Sequence, residues 1–409
     1  MVSDQNTRKP FGVSRSILSL LPHFGSEAVL PPGFARPAPG GELCVFYRGQ
    51  EVGVGRNLEI ALAHRVTKYA APLLAPLVAL STSACETEPR AQTLAGPDGW
   101  RDPSTHRVRF VTVDESVRLE VLDWGGTGRA VVLLAGSGNS AHVFDDFAPK
   151  LTDCCRVFAI TRRGYGASSQ PASGYDNQRL ADDVLAVVDA LRIEAPILVG
   201  HSMAGGEITT LGNLHSDRLS GLVYLDALGD PRDWPASDPA YRALLEKLPP
   251  PIPPSPPCPQ NTTTFRERRA EMLCAMKVPF PESELRSIFS AHPDGRVGRH
   301  KTPPHIHRAV GDGEIKRDYS RIRVPVLAVS NAPVPGEHQP KNEEERAAFE
   351  AVDKATQVYE DRWVANLKGA VPAARLVDLP GAGHFVFLTR ADEVEREIEA
   401  FVGSVARSR

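Results

Sequence analysis

The chain has 409 residues, which is enough for two or three domains and for a sizeable buried core. Hydrophobic residues make up 42% of it and charged residues 24%, which is ordinary for a globular protein and excludes wholesale disorder. There are 47 Lys and Arg against 50 Asp and Glu, so the net charge of -3 leaves no basic surplus to bind a phosphate backbone. We therefore expect no nucleic-acid partner.

Residues 1–104 are predicted to be a disordered leader. Gly and Pro interrupt residues 1–64 repeatedly, and no helical or strand periodicity persists there. A basic flank at 64–68, a short apolar run at 69–80 and the small residues before Cys85 have the features of a secretory signal. The run is short and contains two prolines, so a membrane-spanning helix is the less favoured alternative.

A signal near 66–85 requires an internal start, for instance translation that begins at Val66. Cys85 then resembles the lipid-bearing cysteine of a bacterial lipoprotein, although Thr82 stands where such proteins usually have Leu. This alternative predicts a lipid anchor to a membrane and a location in the cell envelope, the periplasm or the medium. If the signal is not used, the protein is expected in the cytoplasm.

The six cysteines form no CxxC pair and no Cys/His spacing typical of zinc, so no metal site is predicted. Cys258 and Cys274 can pair as a disulfide in an exported protein, and two free thiols are the alternative.

From about residue 106, short β-rich segments alternate with helical patterns, which is typical of βαβ units. The first two segments alternate as an antiparallel edge pair does, and the later ones are continuous apolar runs typical of buried parallel strands. The helical pattern at 177–191 has one apolar face. The predicted strands are 106–113, 117–124, 131–135, 156–160, 197–199, 221–225, 326–330 and 375–379. We predict an α/β fold with a doubly wound, mostly parallel eight-stranded sheet.

The motif GHSMAG at 200–205 directly follows the strand at 196–199 and opens a helical stretch. A serine between a strand and a helix forms a nucleophile elbow, whose tight turn strains the serine backbone. Gly200 and Ala204 supply the small neighbours that this turn needs. The motif therefore predicts Ser202 as a nucleophile, which needs a histidine base and a carboxylate that orients it.

The elbow and its context resemble the α/β-hydrolase superfamily over about residues 111–402. The resemblance implies His384 as the base, because the family's histidine lies on the loop before the C-terminal helix. The acid usually follows the seventh strand, but no Asp stands there. Some members have it at the end of the sixth strand, where this chain has Asp226, so Asp226 is the expected acid and Glu337 the alternative.

The family binds the reaction's oxyanion with the backbone N–H groups of the residue after the nucleophile and of the loop after the third strand. These groups are expected on Met203 and Ser137. The stretch 161–168 resembles the family segment after the fourth strand, and we expect it to buttress the oxyanion loop. The resemblance implies no metal and no organic cofactor.

The expected hydrolase core comprises residues 105–226 and 324–409. Residues 227–323 are too long for a connecting loop and are expected to form a helical cap that sets substrate choice. Helical patterns in this cap lie at 241–248, 264–276 and 281–290.

A serine at position 202 argues against relatives that attack with an aspartate. The resemblance implies hydrolysis of a small-molecule carboxylic ester, with a small or apolar acyl group, through an acyl-enzyme. Alternatives on the same machinery are amide or prolyl-peptide hydrolysis, C–C bond hydrolysis, hydroxynitrile lyase activity and perhydrolase activity. A weakly catalytic ligand receptor on the same fold is the alternative from another functional class.

Overall fold

The computed structural model describes residues 96–249, 256–332 and 340–407, and the backbone of three short strands nearer the N-terminus. Those strands form an antiparallel sheet within a separate compact unit, residues 21–84; they are Ala35–Pro37, Leu43–Tyr47 and Gln50–Val54. The sequence pattern predicts no strands there, because such short runs between Gly and Pro carry little period-2 signal. The signal-like segment 66–85 lies outside the described residues.

A central sheet of eight strands has the order β1-β2-β4-β3-β5-β6-β7-β8. The strands are β1 Arg107–Asp114, β2 Val117–Gly125, β3 Arg129–Leu134, β4 Cys155–Ile160, β5 Ile197–His201, β6 Gly221–Leu225, β7 Val326–Ala332 and β8 Arg375–Pro380. β2 pairs antiparallel with β1 and with β4, and the other neighbours pair in parallel. The eight predicted strands and the doubly wound α/β class are confirmed.

Helices cover both faces of this sheet. They are α1 Asn177–Ala190, α2 Ala204–His215, α3 Pro239–Leu245, α4 Phe265–Met276, α5 Glu282–Ile288, α6 Pro304–Asp312, α7 Glu343–Ala370, α8 Val386–Thr389 and α9 Ala391–Arg407. Single 3-10 turns occupy Ala141–Phe144, Ala148–Leu151, Ser216–Arg218, Pro231–Asp233 and Pro235–Ser237. No helix within the described ranges is long and apolar enough to cross a membrane.

Two apolar clusters, one on each face, enclose the sheet. Successive strand residues belong to opposite clusters: Val132 packs with α1 and α2, and Leu133 packs with α9 and the phenylalanines beside it. Because side chains alternate between the faces of a strand, a strand covered on both faces must be apolar throughout. This is why β3, β5 and β6 are continuous apolar runs.

The segment 227–323, called the insertion below, carries α3 to α6 and a hairpin of Phe289–Ala291 and Val297–His300. Its three predicted helical patterns are confirmed by α3, α4 and α5. Its first helix packs on α7, where the Tyr359 hydroxyl donates to Asp238 at 2.7 Å. A disulfide joins Cys258 to Cys274, the pairing that the sequence leaves open, and a second joins the adjacent Cys154 and Cys155.

The first turn of α2 approaches the end of β6 closely, and Gly205 makes this approach feasible. A Cβ on Gly205 would lie 2.3 Å from the Ala227 carbonyl oxygen, which belongs to the backbone and cannot rotate away. We predict that Gly205→Ala lowers the free energy of unfolding by about 2 kcal/mol or more, measured by chemical denaturation.

The control for this prediction is Gly403→Ala in α9, where a Cβ meets nothing within 4 Å. We expect Gly403→Ala to be neutral or stabilising by up to about 1 kcal/mol, because Ala has the higher helix propensity. Equal unfolding free energies for the two variants would contradict the proposed close packing of α2 against β6.

Candidate active site

Ser202 occupies the sharp turn between β5 and α2. Its φ of +55° lies in the left-handed region, which non-glycine residues rarely adopt. The turn is fixed by hydrogen bonds from the Ser202 N–H to the Leu225 carbonyl at 3.1 Å and from the Gly205 N–H to the Ser202 carbonyl at 2.9 Å. A Cβ on Gly200 would lie 3.0 Å from the Ala204 carbonyl oxygen, so this position must remain small. The strained turn that the motif predicts is therefore present.

Three side chains form a continuous hydrogen-bonded series at the carboxyl edge of the sheet. His384 Nε2 lies 2.9 Å from Ser202 Oγ, and His384 Nδ1 lies 2.7 Å from Asp226 Oδ2. Ser202 follows β5, Asp226 follows β6 and His384 follows β8, and the carboxyl ends of parallel strands meet at one edge. The structure thus brings together the three residues that the sequence predicts. The alternative acid, Glu337, lies outside the described residues.

Asp226 is held in place by two backbone groups of β7. It has a φ of +46°, and its N–H donates to the Val329 carbonyl at 2.8 Å. Its second carboxylate oxygen accepts the Asn331 N–H at 3.1 Å. The Asn331 side-chain oxygen in turn accepts the Gly383 N–H at 2.8 Å, directly before His384. Asn331 therefore connects the acid to the histidine loop, a role that the sequence does not predict.

His201 is a second supporting residue that the sequence does not predict. Its side chain is buried, and its Nε2 lies 3.0 Å from the His384 carbonyl oxygen. Its ring centroid is 4.7 Å from that of His384 and 4.8 Å from that of Phe385. Burial, with the nearby His384 ring, holds the pKa of His201 well below its usual range. A neutral His201 can donate its Nε2–H to the His384 carbonyl, which positions the histidine loop.

The loop after β3 lies against the nucleophile. A Cβ on Gly136 would lie 3.0 Å from the Ser202 Cβ, so this glycine permits the close approach. Ser137 follows it and is exposed, and Met203 follows Ser202 and is partly buried. Of the two residues expected to bind an oxyanion, Ser137 therefore follows the glycine that approaches Ser202, and Met203 follows Ser202 itself.

Arg162 binds the backbone carbonyls of this loop. Its buried guanidinium donates to the carbonyls of Ala135 at 2.8 Å and Gly136 at 3.4 Å, and to Glu207 Oε1 at 2.6 Å. Burial raises the pKa of Glu207, and the adjacent Arg162 opposes this change. The buttress that the sequence predicts for the stretch 161–168 is confirmed.

The insertion contacts the same loop region from the other side. Glu284 on α5 is completely buried and accepts hydrogen bonds from Asn139 Nδ2 at 2.9 Å and from the Ser140 N–H at 3.1 Å. Burial raises the pKa of Glu284 to about 7. The insertion and the loop after β3 are therefore joined by buried hydrogen bonds.

A second part of the insertion lies beside Met203. Met203 packs with Tyr165 and with Ile306 of α6. The Tyr165 hydroxyl lies 3.2 Å from His307 Nδ1, and the His307 ring centroid lies 5.1 Å from that of His300. Burial lowers the pKa of His307 to about 4, so it is neutral at pH 7. The surroundings of Met203 thus combine apolar groups with neutral polar ones.

Comparison with known proteins identifies the family of this chain. The sequence pattern of the alpha/beta hydrolase family matches residues 131–397. A non-heme chloroperoxidase of Streptomyces lividans is 37% identical over 24% of this chain and 36% of its own length. An epoxide hydrolase A of Mycobacterium tuberculosis is 33% identical over 31% of this chain and 41% of its own length. A bifunctional esterase/perhydrolase of Acinetobacter calcoaceticus is 35% identical over 24% of this chain and 37% of its own length.

The chain thus spans about two fifths of the length of these curated relatives. Among solved structures, the crystal structure of E-2-(acetamidomethylene)succinate hydrolase is similar, with a TM-score of 0.52 and 19% identity over 73% of this chain and 99% of that one. At this identity the likeness concerns the fold alone. Because the family pattern covers more than half of the chain, the chain belongs to the alpha/beta hydrolase family.

Proposed function

We propose that this protein is a serine hydrolase that cleaves small-molecule carboxylic esters through an acyl-enzyme intermediate. The observation that carries the proposal is the hydrogen-bonded series from Ser202 through His384 to Asp226, with distances of 2.9 and 2.7 Å. This is the arrangement in which a serine hydroxyl, a weak nucleophile alone, is activated by a base whose orientation is fixed.

In the first half of the reaction, Ser202 Oγ attacks the ester carbonyl while His384 Nε2 accepts its proton. Asp226 holds the imidazole and stabilises its positive charge. The N–H groups of Met203 and Ser137 bind the oxyanion of the tetrahedral intermediate. The intermediate then collapses, His384 returns the proton to the leaving alcohol, and the acyl group stays on Ser202.

In the second half, water attacks the acyl carbon and His384 accepts a proton from it. Collapse of the second tetrahedral intermediate releases the carboxylic acid and restores the Ser202 hydroxyl with the proton from His384. Besides the ester and water, these steps use side chains and backbone groups of the chain. The apolar side chains that pack with Met203 support an apolar acyl group as the substrate's acid part.

Perhydrolysis is the second candidate, because one relative is named a bifunctional esterase/perhydrolase. In that reaction hydrogen peroxide replaces water in the second half and the product is a peracid. Adding peroxide to the ester assay distinguishes the two, since perhydrolysis diverts the acyl group from acid to peracid.

Export and lipid attachment at Cys85 are proposals that rest on the sequence. The bond between Cys258 and Cys274 supports export alone, since disulfides persist mainly in oxidising compartments.

We predict that a fluorophosphonate probe labels Ser202 of the full chain, with the adduct located by mass spectrometry. Ser202→Ala should abolish labelling. Asp226→Asn should slow it by roughly 10²- to 10⁴-fold, because an amide cannot hold the imidazole in the required tautomer.

The matched control is Asp217→Asn, which changes an exposed aspartate in the 3-10 turn Ser216–Arg218 and should label at the wild-type rate. Unchanged labelling of Asp226→Asn would contradict Asp226 as the acid. Failure of the folded wild type to label or to turn over any ester would instead favour the ligand-receptor alternative.

We predict that Asn331→Ala lowers kcat for ester hydrolysis by about 5- to 100-fold and changes KM little, because Gly383 loses its hydrogen-bond acceptor while the Asn331 N–H still binds Asp226. Steady-state kinetics on a p-nitrophenyl ester measures both constants.

Asn213→Ala is the matched control, because its side-chain oxygen likewise accepts a backbone N–H, that of Arg321 at 3.0 Å, while its side-chain nitrogen donates to the Asp318 carbonyl. It should leave kcat unchanged. An equal effect of both variants on kcat would mean that Asn331 acts only through general stability.

A further inference from the structure

A second group of buried charged side chains lies outside the Ser202 series. We call it the His106–His142 cluster; its members are Asp102, His106, Glu120, His142 and Asp145. Their side chains are only 2 to 11% exposed. The members come from the segment before β1, from β2 and from the turn that follows the loop after β3, so the cluster joins three separate parts of the chain.

Three potential ligand atoms converge within the cluster. Asp102 Oδ2 lies 3.9 Å from His106 Nε2 and 4.0 Å from His142 Nδ1. One ligand atom from each of these three residues lies within 4.8 Å of the others. The other nitrogen of each ring faces a carboxylate: His106 Nδ1 is 2.9 Å from Asp145 Oδ1, and His142 Nε2 is 3.5 Å from Glu120 Oε1. Carboxylates commonly orient metal-binding imidazoles in this way.

With neutral imidazoles, the charge of the cluster favours a bound cation. Three carboxylates and two neutral imidazoles give a formal charge of -3, and protonation of both imidazoles still leaves -1. Burial of a net charge without a counter-ion is unfavourable. The buried atoms Asp145 Oδ1 and His106 Nδ1 lie 2.9 Å apart, although their contact lacks the geometry of a hydrogen bond. Lys301 acts on Glu120 electrostatically; with its ammonium counted, the charge is -2 when both imidazoles are neutral, the form that binds a metal, and zero when both are protonated.

We propose that Asp102, His106 and His142 bind a divalent transition-metal ion, for which Zn²⁺ is the best fit. Two imidazole donors favour zinc over magnesium or calcium, which prefer oxygen ligands. The separations of 3.9 and 4.0 Å exceed the roughly 3.3 Å between ligand atoms of a tetrahedral zinc site, so binding draws the donors inwards. Asp145 Oδ2 forms a hydrogen bond with His142 Nδ1 at 2.9 Å and accepts the Ser283 hydroxyl; metal binding at His142 Nδ1 displaces the proton of the first bond, and Asp145 can then supply a fourth ligand.

The spacing of these ligands explains why the sequence predicts no metal. The pattern search depends on Cys/His spacings, whereas Asp102 and His106 precede β1 without helical structure and His142 follows a distant loop. The site would tie residues 102–106 to the 3-10 turn Ala141–Phe144. That turn directly follows the loop that carries Gly136 and Ser137, so the ion would stiffen the predicted oxyanion loop.

The test titrates Zn²⁺ into the full chain after chelator treatment and buffer exchange, by calorimetry and by thermal unfolding. We expect one equivalent to bind with a Kd below about 1 μM and to raise the unfolding temperature. Asp102→Asn and His106→Gln should each weaken binding at least tenfold. Circular dichroism shows whether each variant folds. If one of the two variants does not fold, the other still tests the proposal.

Two histidine variants serve as controls. His292→Gln changes an exposed histidine in the insertion, and His307→Gln changes the imidazole beside Tyr165; both should bind Zn²⁺ like the wild type. Absence of binding by the folded wild type would overturn the proposal and leave an ion-pair cluster without metal. Loss of binding in His307→Gln but not in His106→Gln would also overturn it, by placing the ion near Ser202.

Discussion

The hydrogen bond between Asp226 and His384 is the contact on which the proposed chemistry depends. It requires an acid at the end of β6, which lies between β5 with its serine and β7. The sheet fixes this acid through the Val329 carbonyl and the Asn331 N–H. The Asn331 side chain also accepts the Gly383 N–H, directly before His384. β7 therefore positions both the acid and the base, although it supplies no carboxylate to the series.

The loop after β3 is held from two sides by buried charged groups. Arg162 binds its carbonyls from the core, and Glu284 binds its far end from the insertion. A shift of α5 would therefore displace Asn139 and Ser140, which belong to the same loop as Gly136. The insertion thus has a direct physical connection to the proposed oxyanion site, in addition to the contacts near Met203. The proposed metal would add a third restraint, through the turn that contains His142.

Much of this architecture could be predicted from the sequence because its signals are local. Continuous apolar runs gave the buried strands, and the motif around Ser202 predicted a strained turn that the φ of +55° matches. Asp226 could be selected because the resemblance to the family implies an acid after the sixth strand when none stands directly after the seventh. The supporting roles of His201 and Asn331 could not be predicted, because they depend on contacts with the His384 loop. These residues are far apart in the chain, and local sequence patterns do not indicate such contacts.

The most direct test of the account is a crystal structure of the protein after reaction with a phosphonate ester. The account predicts phosphorus bonded to Ser202 Oγ, with the phosphoryl oxygen about 3 Å from the N–H groups of Met203 and Ser137. His384 should remain paired with Asp226. A phosphoryl oxygen directed away from both N–H groups, or His384 paired with Glu337, would contradict the account.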